Sequence, residues 1–183
     1  MFEGEKLRKY IILVIFLVFS VVLASGCVSS NNQSNINKTY SQNNISFKYP
    51  GGWEIVNATS PNAVVAVADP KTLENGSPTT LVVIQKPNAT AGSDINTLYS
   101  SNYAQFFNNS DYQRVSEGNI TVNGVNALEN IYKTNTTVSP TQYQAVWLNE
   151  NGNIYVILCI AKVADFEGQQ ANFNLILDTF KSQ

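Results

Sequence analysis

The chain contains no histidine. That removes the usual general base, the imidazole of a hydrolytic triad and the commonest transition-metal ligand. Cysteine is almost as scarce, with two in 183 residues. Cys27 belongs to a leader motif, so no intramolecular disulfide is available unless Cys27 stays unmodified. Cys159 could serve as a nucleophile only in an exposed, electropositive setting, and it stands in the most apolar stretch of the chain, where it reads as core. Charge is sparse too: after residue 26 there are 8 Lys/Arg against 11 Asp/Glu. With no basic cluster among them, nucleic acid is not an expected partner, because phosphate binding needs a positive stripe. Gly-x-Ser-x-Gly, the phosphate-cradling Gly-x-x-x-x-Gly-Lys and Ser-x-x-Lys are all absent, and no cofactor is expected.

What the sequence does have begins with its leader. A short basic segment (Lys6, Arg8, Lys9) precedes an apolar run from Tyr10 to Leu23 broken only by Ser20, the pattern of a secretory signal peptide. As a helix that run reaches only about 21 Å, short of the roughly 30 Å hydrocarbon core a permanent span must cross. Ala24-Ser25-Gly26-Cys27 resembles the lipobox of lipoproteins, in which Cys27 becomes the new N-terminus and its sulfur carries a lipid. An ordinary signal peptide that happens to hold a cysteine, or an uncleaved anchor, would also place the domain outside the membrane. Residues 1–26 are therefore expected to be a signal peptide. Residues 27–43, rich in Asn and Ser, read as the lipidated cysteine and a flexible tether, and 44–183 as one folded domain.

Asparagine is in excess, and nine Asn-x-Ser/Thr sequons begin at Asn32, Asn37, Asn44, Asn57, Asn75, Asn88, Asn108, Asn119 and Asn135. Turn formation alone would account for many of these residues. Behind an export leader they also read as N-glycosylation acceptors, with Asn75, Asn88 and Asn135 in the most turn-rich sequence. Lipobox and sequons together resemble an archaeal cell-surface lipoprotein.

From Ile45 the chain patterns as strands. Ile45, Phe47 and Tyr49 alternate, and Pro50-Gly51-Gly52 ends the run. Val64 to Ala68 and Leu81 to Ile84 are short apolar strands. Three- and four-residue steps through Ile95, Leu98, Tyr99, Asn102, Tyr103, Phe106 and Phe107 predict a helix capped by Ser93 and ending near Asn108-Asn109. Tyr112 to Glu117 and then Ile120 to Val122 read as strands, and Asn123-Gly124 as a hairpin turn into Val125 to Tyr132. Gln142 to Leu148 alternates, with Tyr143, Ala145 and Trp147 to one side. Ile154 to Ala161 is continuously apolar and must be buried on both faces, at the centre of the sheet. A closing helix from about Phe166 to Lys181, capped by Asp165, presents Phe173, Ile176, Leu177 and Phe180. The predicted class is α+β, a largely antiparallel sheet between helices.

The order of these pieces resembles the PsbP-like domain family: Ile45-Ser46-Phe47-Lys48-Tyr49-Pro50-Gly51-Gly52-Trp53-Glu54-Ile55, Asp69-Pro70 after a Val/Ala strand, Ile120 to Ala127, and the helix Phe173 to Lys181. The resemblance covers nearly all of Ile45 to Lys181 and implies an α/β/α sandwich working as an accessory or binding module. Trp53, Trp147 and the tyrosines would line a ligand groove or fill the core. The expected protein is a membrane-anchored, non-catalytic cell-surface lipoprotein. It would be held on the extracellular face by the lipid on Cys27, with a membrane or envelope protein or a small ligand as partner. The alternative is an enzyme acting on envelope glycans. It would need two of the scattered carboxylates Asp69, Glu74, Asp94, Asp111, Asp165 and Glu167, which lack EF-hand spacing, to meet about 5–10 Å apart.

Overall fold

Strand β11 (Asn153–Lys162), the continuously apolar run, lies fourth in a seven-stranded sheet of order β3-β4-β7-β11-β10-β9-β8. The computed structural model of the protein describes residues 36–60, 62–89, 93–108 and 111–183. The expected signal segment and Cys27 lie outside the described residues. The other strands of this sheet are β3 (Glu54–Val56), β4 (Ala63–Ala68), β7 (Leu81–Gln85), β8 (Tyr112–Val122), β9 (Val125–Thr134) and β10 (Thr141–Glu150). Every neighbouring pair is antiparallel. A second sheet holds β1 (Lys38–Gln42), β2 (Ile45–Tyr49) and β12 (Lys181–Ser182), and β5 (Leu73–Glu74) pairs with β6 (Ser77–Pro78).

Four of the hairpins turn on two consecutive residues with positive φ: Asn43-Asn44, Asn75-Gly76, Asn123-Gly124 and Asn151-Gly152. This left-handed pair matches strand twist, and asparagine and glycine enter it at least cost. Part of the asparagine excess is thus a folding device.

Alternation along the strands sends residues to opposite faces, and one helix covers each. On one side α2 (Gln170–Thr179) buries Phe173, Ile176 and Leu177 against Val146, Leu148, Tyr155, Ile157 and Cys159, and β2 closes this layer with Ile45, Phe47 and Tyr49. On the other, α1 (Ile95–Phe106) lies over Tyr132, Ala145, Trp147, Ile154 and Val156. This is the expected α+β sandwich.

Three details depart from the sequence reading. The tether does not extend to residue 43, because residues 38–42 form β1. Tyr40, the aromatic between Thr39 and Ser41, is buried and stacks on Phe47 at 5.1 Å. Lys38 Nζ donates to the Trp53 carbonyl at 2.9 Å, and a Cβ on Gly51 would collide with the Ile36 carbonyl, so the incoming chain is packed onto the Pro50–Gly52 turn. The cap of α1 is Asp94 rather than Ser93, accepting from the Asn96 and Thr97 amides at 3.3 and 3.0 Å, and the helix stops at Phe106. Asp165 caps nothing at α2, since a 3-10 turn, Glu167–Gln169, intervenes before Gln170.

Candidate binding groove between α1 and β8

The α1 face of the sheet is aromatic. Tyr99, Tyr103, Phe106 and Phe107 of the helix region meet Tyr112, Tyr132, Tyr143 and Trp147 of the strands, mostly edge to face. Tyr103 lies 6.2 Å from Trp147 and Phe106 4.9 Å from Tyr132, the geometry that opposes ring edges to ring faces favourably. Trp147 Nε1 donates to the Tyr103 hydroxyl at 3.2 Å, deep in the layer. Burial pushes the hydroxyls of Tyr103 and Tyr132 well above the ordinary phenol range, so neither is an acid at working pH.

Beside this layer a groove of about 450 Å³ runs between the helix and the edge strand. It is lined by Tyr99, Ser100, Tyr103 and Ala104 of α1, by Arg114, Glu117, Gly118 and Asn119 of β8, and by Leu128 of β9. Its charged wall depends on a local irregularity. Register shifts between Arg114 and Ser116, leaving Val115 as the extra residue, and Val115 is 51% exposed. In a regular strand residues three apart face opposite ways. The bulge returns Arg114 to the face of Glu117, opposite Tyr132 and Asn130 respectively, and the two side chains pair at 3.1 Å. Arg114 also stands over the Phe107 ring at 4.5 Å.

The floor is a hydrogen-bonded tyrosine. Tyr99 donates to the Glu129 carbonyl at 3.1 Å and accepts from Asn130 Nδ2 at 3.0 Å, with the Glu117 carboxylate at 3.5 Å. Burial raises the Tyr99 hydroxyl above its usual value, and the Asn130 hydrogen bond opposes that shift. Asn130 is fully buried, and its Oδ1 has no protein partner. Aromatic walls, a guanidinium and a carboxylate that already satisfy each other, and an amide-anchored phenol form a stacking and hydrogen-bonding site.

The residues singled out in the sequence are dispersed. Asn75 sits at the β5–β6 turn, Asn88 beyond β7 and Asn135 beyond β9, all three exposed and on separate elements. Cys159 is fully buried, and its thiol is driven up by desolvation first and the Glu129 carboxylate second. The carboxylates have separate structural tasks: Asp69 accepts from the Lys71 amide, Glu74 pairs with Lys162, and Asp94 caps α1. Among the described residues no group of three or more His, Cys, Asp or Glu could hold a metal ion, and no helix is long and apolar enough to cross a membrane. Trp53 and Trp147 do not share a groove. Trp53 meets Phe173 edge-on at 6.3 Å in the α2-side core, whereas Trp147 lies under α1. The Arg114–Glu117 wall was missed in the sequence, because residues 113–119 are too polar to show an alternation that the bulge at Val115 could break.

An antiparallel sheet with one helix on each face, and a small sheet of both chain ends sealing one layer, makes a PsbP-type sandwich. The family model for PsbP-like proteins matches residues 12–182, and the chain belongs to that family. Comparison with curated proteins gave no match. Among solved structures the chain is similar to cyanobacterial PsbP (CyanoP) of Synechocystis sp. PCC 6803, at TM-score 0.62 and 14% identity over 87% of this chain and 99% of that one. It is also similar to LpqN of Mycobacterium tuberculosis, described as involved in cell envelope biogenesis, at TM-score 0.59 and 12% identity over 80% and 90%. A protein of Bacteroides thetaiotaomicron VPI-5482 matches at TM-score 0.56 and 11% identity over 82% and 49%.

Proposed function

We propose that the protein is a lipid-anchored accessory module on the extracellular face of the cell membrane, binding a membrane or envelope protein or a small ligand in the groove between α1 and β8. The observation that carries this reading is the lipobox-like Ala24-Ser25-Gly26-Cys27 with only ten residues between Cys27 and Lys38, where β1 begins. Eleven residue steps reach at most about 40 Å even when fully extended, which keeps the domain near the membrane surface. Members of the PsbP-like family are generally non-enzymatic, and the groove offers recognition chemistry. Dual acylation through one cysteine contributes about 0.8 kcal/mol per buried CH₂, ample for stable anchoring. The test is fractionation of washed membranes: the parent protein remains with the membrane, and Cys27→Ser is released. Retention of that variant would refute the lipid anchor.

A further inference from the structure

All eight described sequon asparagines are exposed, and seven of them lie in turns or connections. Asn119 differs. It sits inside β8, opposite Leu128, which packs into the α1-side aromatic cluster. Its side chain therefore projects on the helix side of the sheet, and it forms part of the groove wall together with Tyr99, Tyr103, Arg114 and Glu117. We propose that Asn119 carries an N-linked saccharide that folds into the α1–β8 groove, so that the chain's own glycan governs access to this site. The proposal rests on the export and binding-groove reading above and adds its regulation.

The attachment requires a separate membrane transferase and a saccharide activated as a lipid-linked phosphate ester. The Asn119 side-chain nitrogen forms a bond to the anomeric carbon, and the anomeric C–O bond breaks. Its electron pair leaves with the lipid phosphate, which takes up the amide proton. Thr121 supplies the third position of the acceptor sequence.

The groove suits such an occupant chemically. A saccharide has an apolar C–H face for the tyrosine walls and hydroxyls that both donate and accept, matching a carboxylate beside a guanidinium. Tethering makes weak affinity sufficient: a group linked by a few bonds to the rim of its own site has an effective concentration on the order of millimolar or higher. A free ligand of similar affinity must then exceed that concentration to displace it.

The test uses full-length protein purified in detergent from membranes of its native host, with Ser100→Cys as a reporter inside the groove and Ser101→Cys as a control outside it. Cys159 is fully buried and does not interfere. Mass spectrometry should find a saccharide on Asn119. Maleimide labelling at position 100 should be about tenfold slower than in the same protein carrying Thr121→Ala, as tethered occupancy requires. Thr121→Ser keeps the acceptor sequence and should restore the slow rate, while labelling at position 101 should be the same in all three backgrounds. An unmodified Asn119, or equal rates at position 100 with and without its glycan, overturns the proposal. Glycans at Asn75, Asn88 or Asn135 with none at Asn119 would overturn it while leaving the export reading intact, which the Cys27→Ser fractionation reads independently.

Discussion

The two faces of the seven-stranded sheet are built from the same strands and are covered to different degrees. On the α2 face Phe173, Ile176, Phe180, Val146, Leu148 and Ile157 are completely buried, and β2 adds a further layer over them. On the α1 face Tyr99, Phe106, Phe107, Tyr112 and Tyr143 are only half-buried, and their cover is a single helix of 12 residues. Strand periodicity assigns every second residue to each face, so the chain writes both programs along one strand. In β10 Val146 and Leu148 belong to the sealed side, and Tyr143 and Trp147 to the aromatic side. A sealed layer of fully buried side chains supplies stability, whereas half-buried rings with polar tips and a partial cover leave a surface that can accept a ligand.

The comparison breaks most visibly on the sealed side. Phe173→Ala should cost about 3–5 kcal/mol through lost burial and a residual cavity, lowering the calorimetric midpoint by roughly 10 °C for a domain of this size. Tyr40→Ala, at the edge of that layer, should cost about 2–3 kcal/mol and release β1, detected as new proteolytic cleavage between residues 38 and 42. On the aromatic side Trp147→Phe keeps most of the ring but leaves the buried Tyr103 hydroxyl without its donor, so denaturant unfolding should show a loss of about 1–2 kcal/mol. Arg114→Ala breaks an exposed pair and should change stability by less than about 0.5 kcal/mol, while opening the groove wall to labelling at Ser100→Cys.

The smallest effect is one of pH. Hydrogen bonds from the Thr97 side chain and amide, and then from Asn96, hold the Asp94 carboxyl below its usual 3.8. Its folded pKa is depressed, so the cap's contribution is complete above 3.8 and is lost as pH falls through the lower folded value. Trp147 fluorescence, which reports the α1 layer, should therefore begin to change at acid pH before the β11 amides lose protection. Asp94→Asn should weaken that early change, and an unaltered profile would remove Asp94 as its cause.

Sealed structure was more legible in the sequence than the groove. Ile154 to Ala161 announced the centre of the sheet because no polar residue interrupts it, and Asn123-Gly124 announced its hairpin because only such pairs take two left-handed residues cheaply. β1 was hidden because its evidence is one ring, Tyr40, whose partner Phe47 is reached through Asn43-Asn44, a turn with no glycine to mark it. The groove was hidden for a different reason. Its charged wall exists only because Val115 is bulged, and an extra residue in a strand leaves no periodic trace in a segment as polar as residues 113–119. Caps were misplaced by one residue at Ser93/Asp94, and at α2 by the intervening 3-10 turn, since both choices present acceptable capping chemistry in sequence.

Native-state hydrogen exchange tests most directly the proposal that one face is structural and the other is the binding surface, because it reads the opening free energy of each element separately. Amides of β7, β10, β11 and α2 should exchange only through global unfolding, with a common denaturant dependence. Those of α1 should exchange by a smaller local opening that leaves β11 protected, and the difference should narrow when the groove is filled. Protection of α1 equal to that of β11, or an opening that releases α2 before α1, would contradict the account.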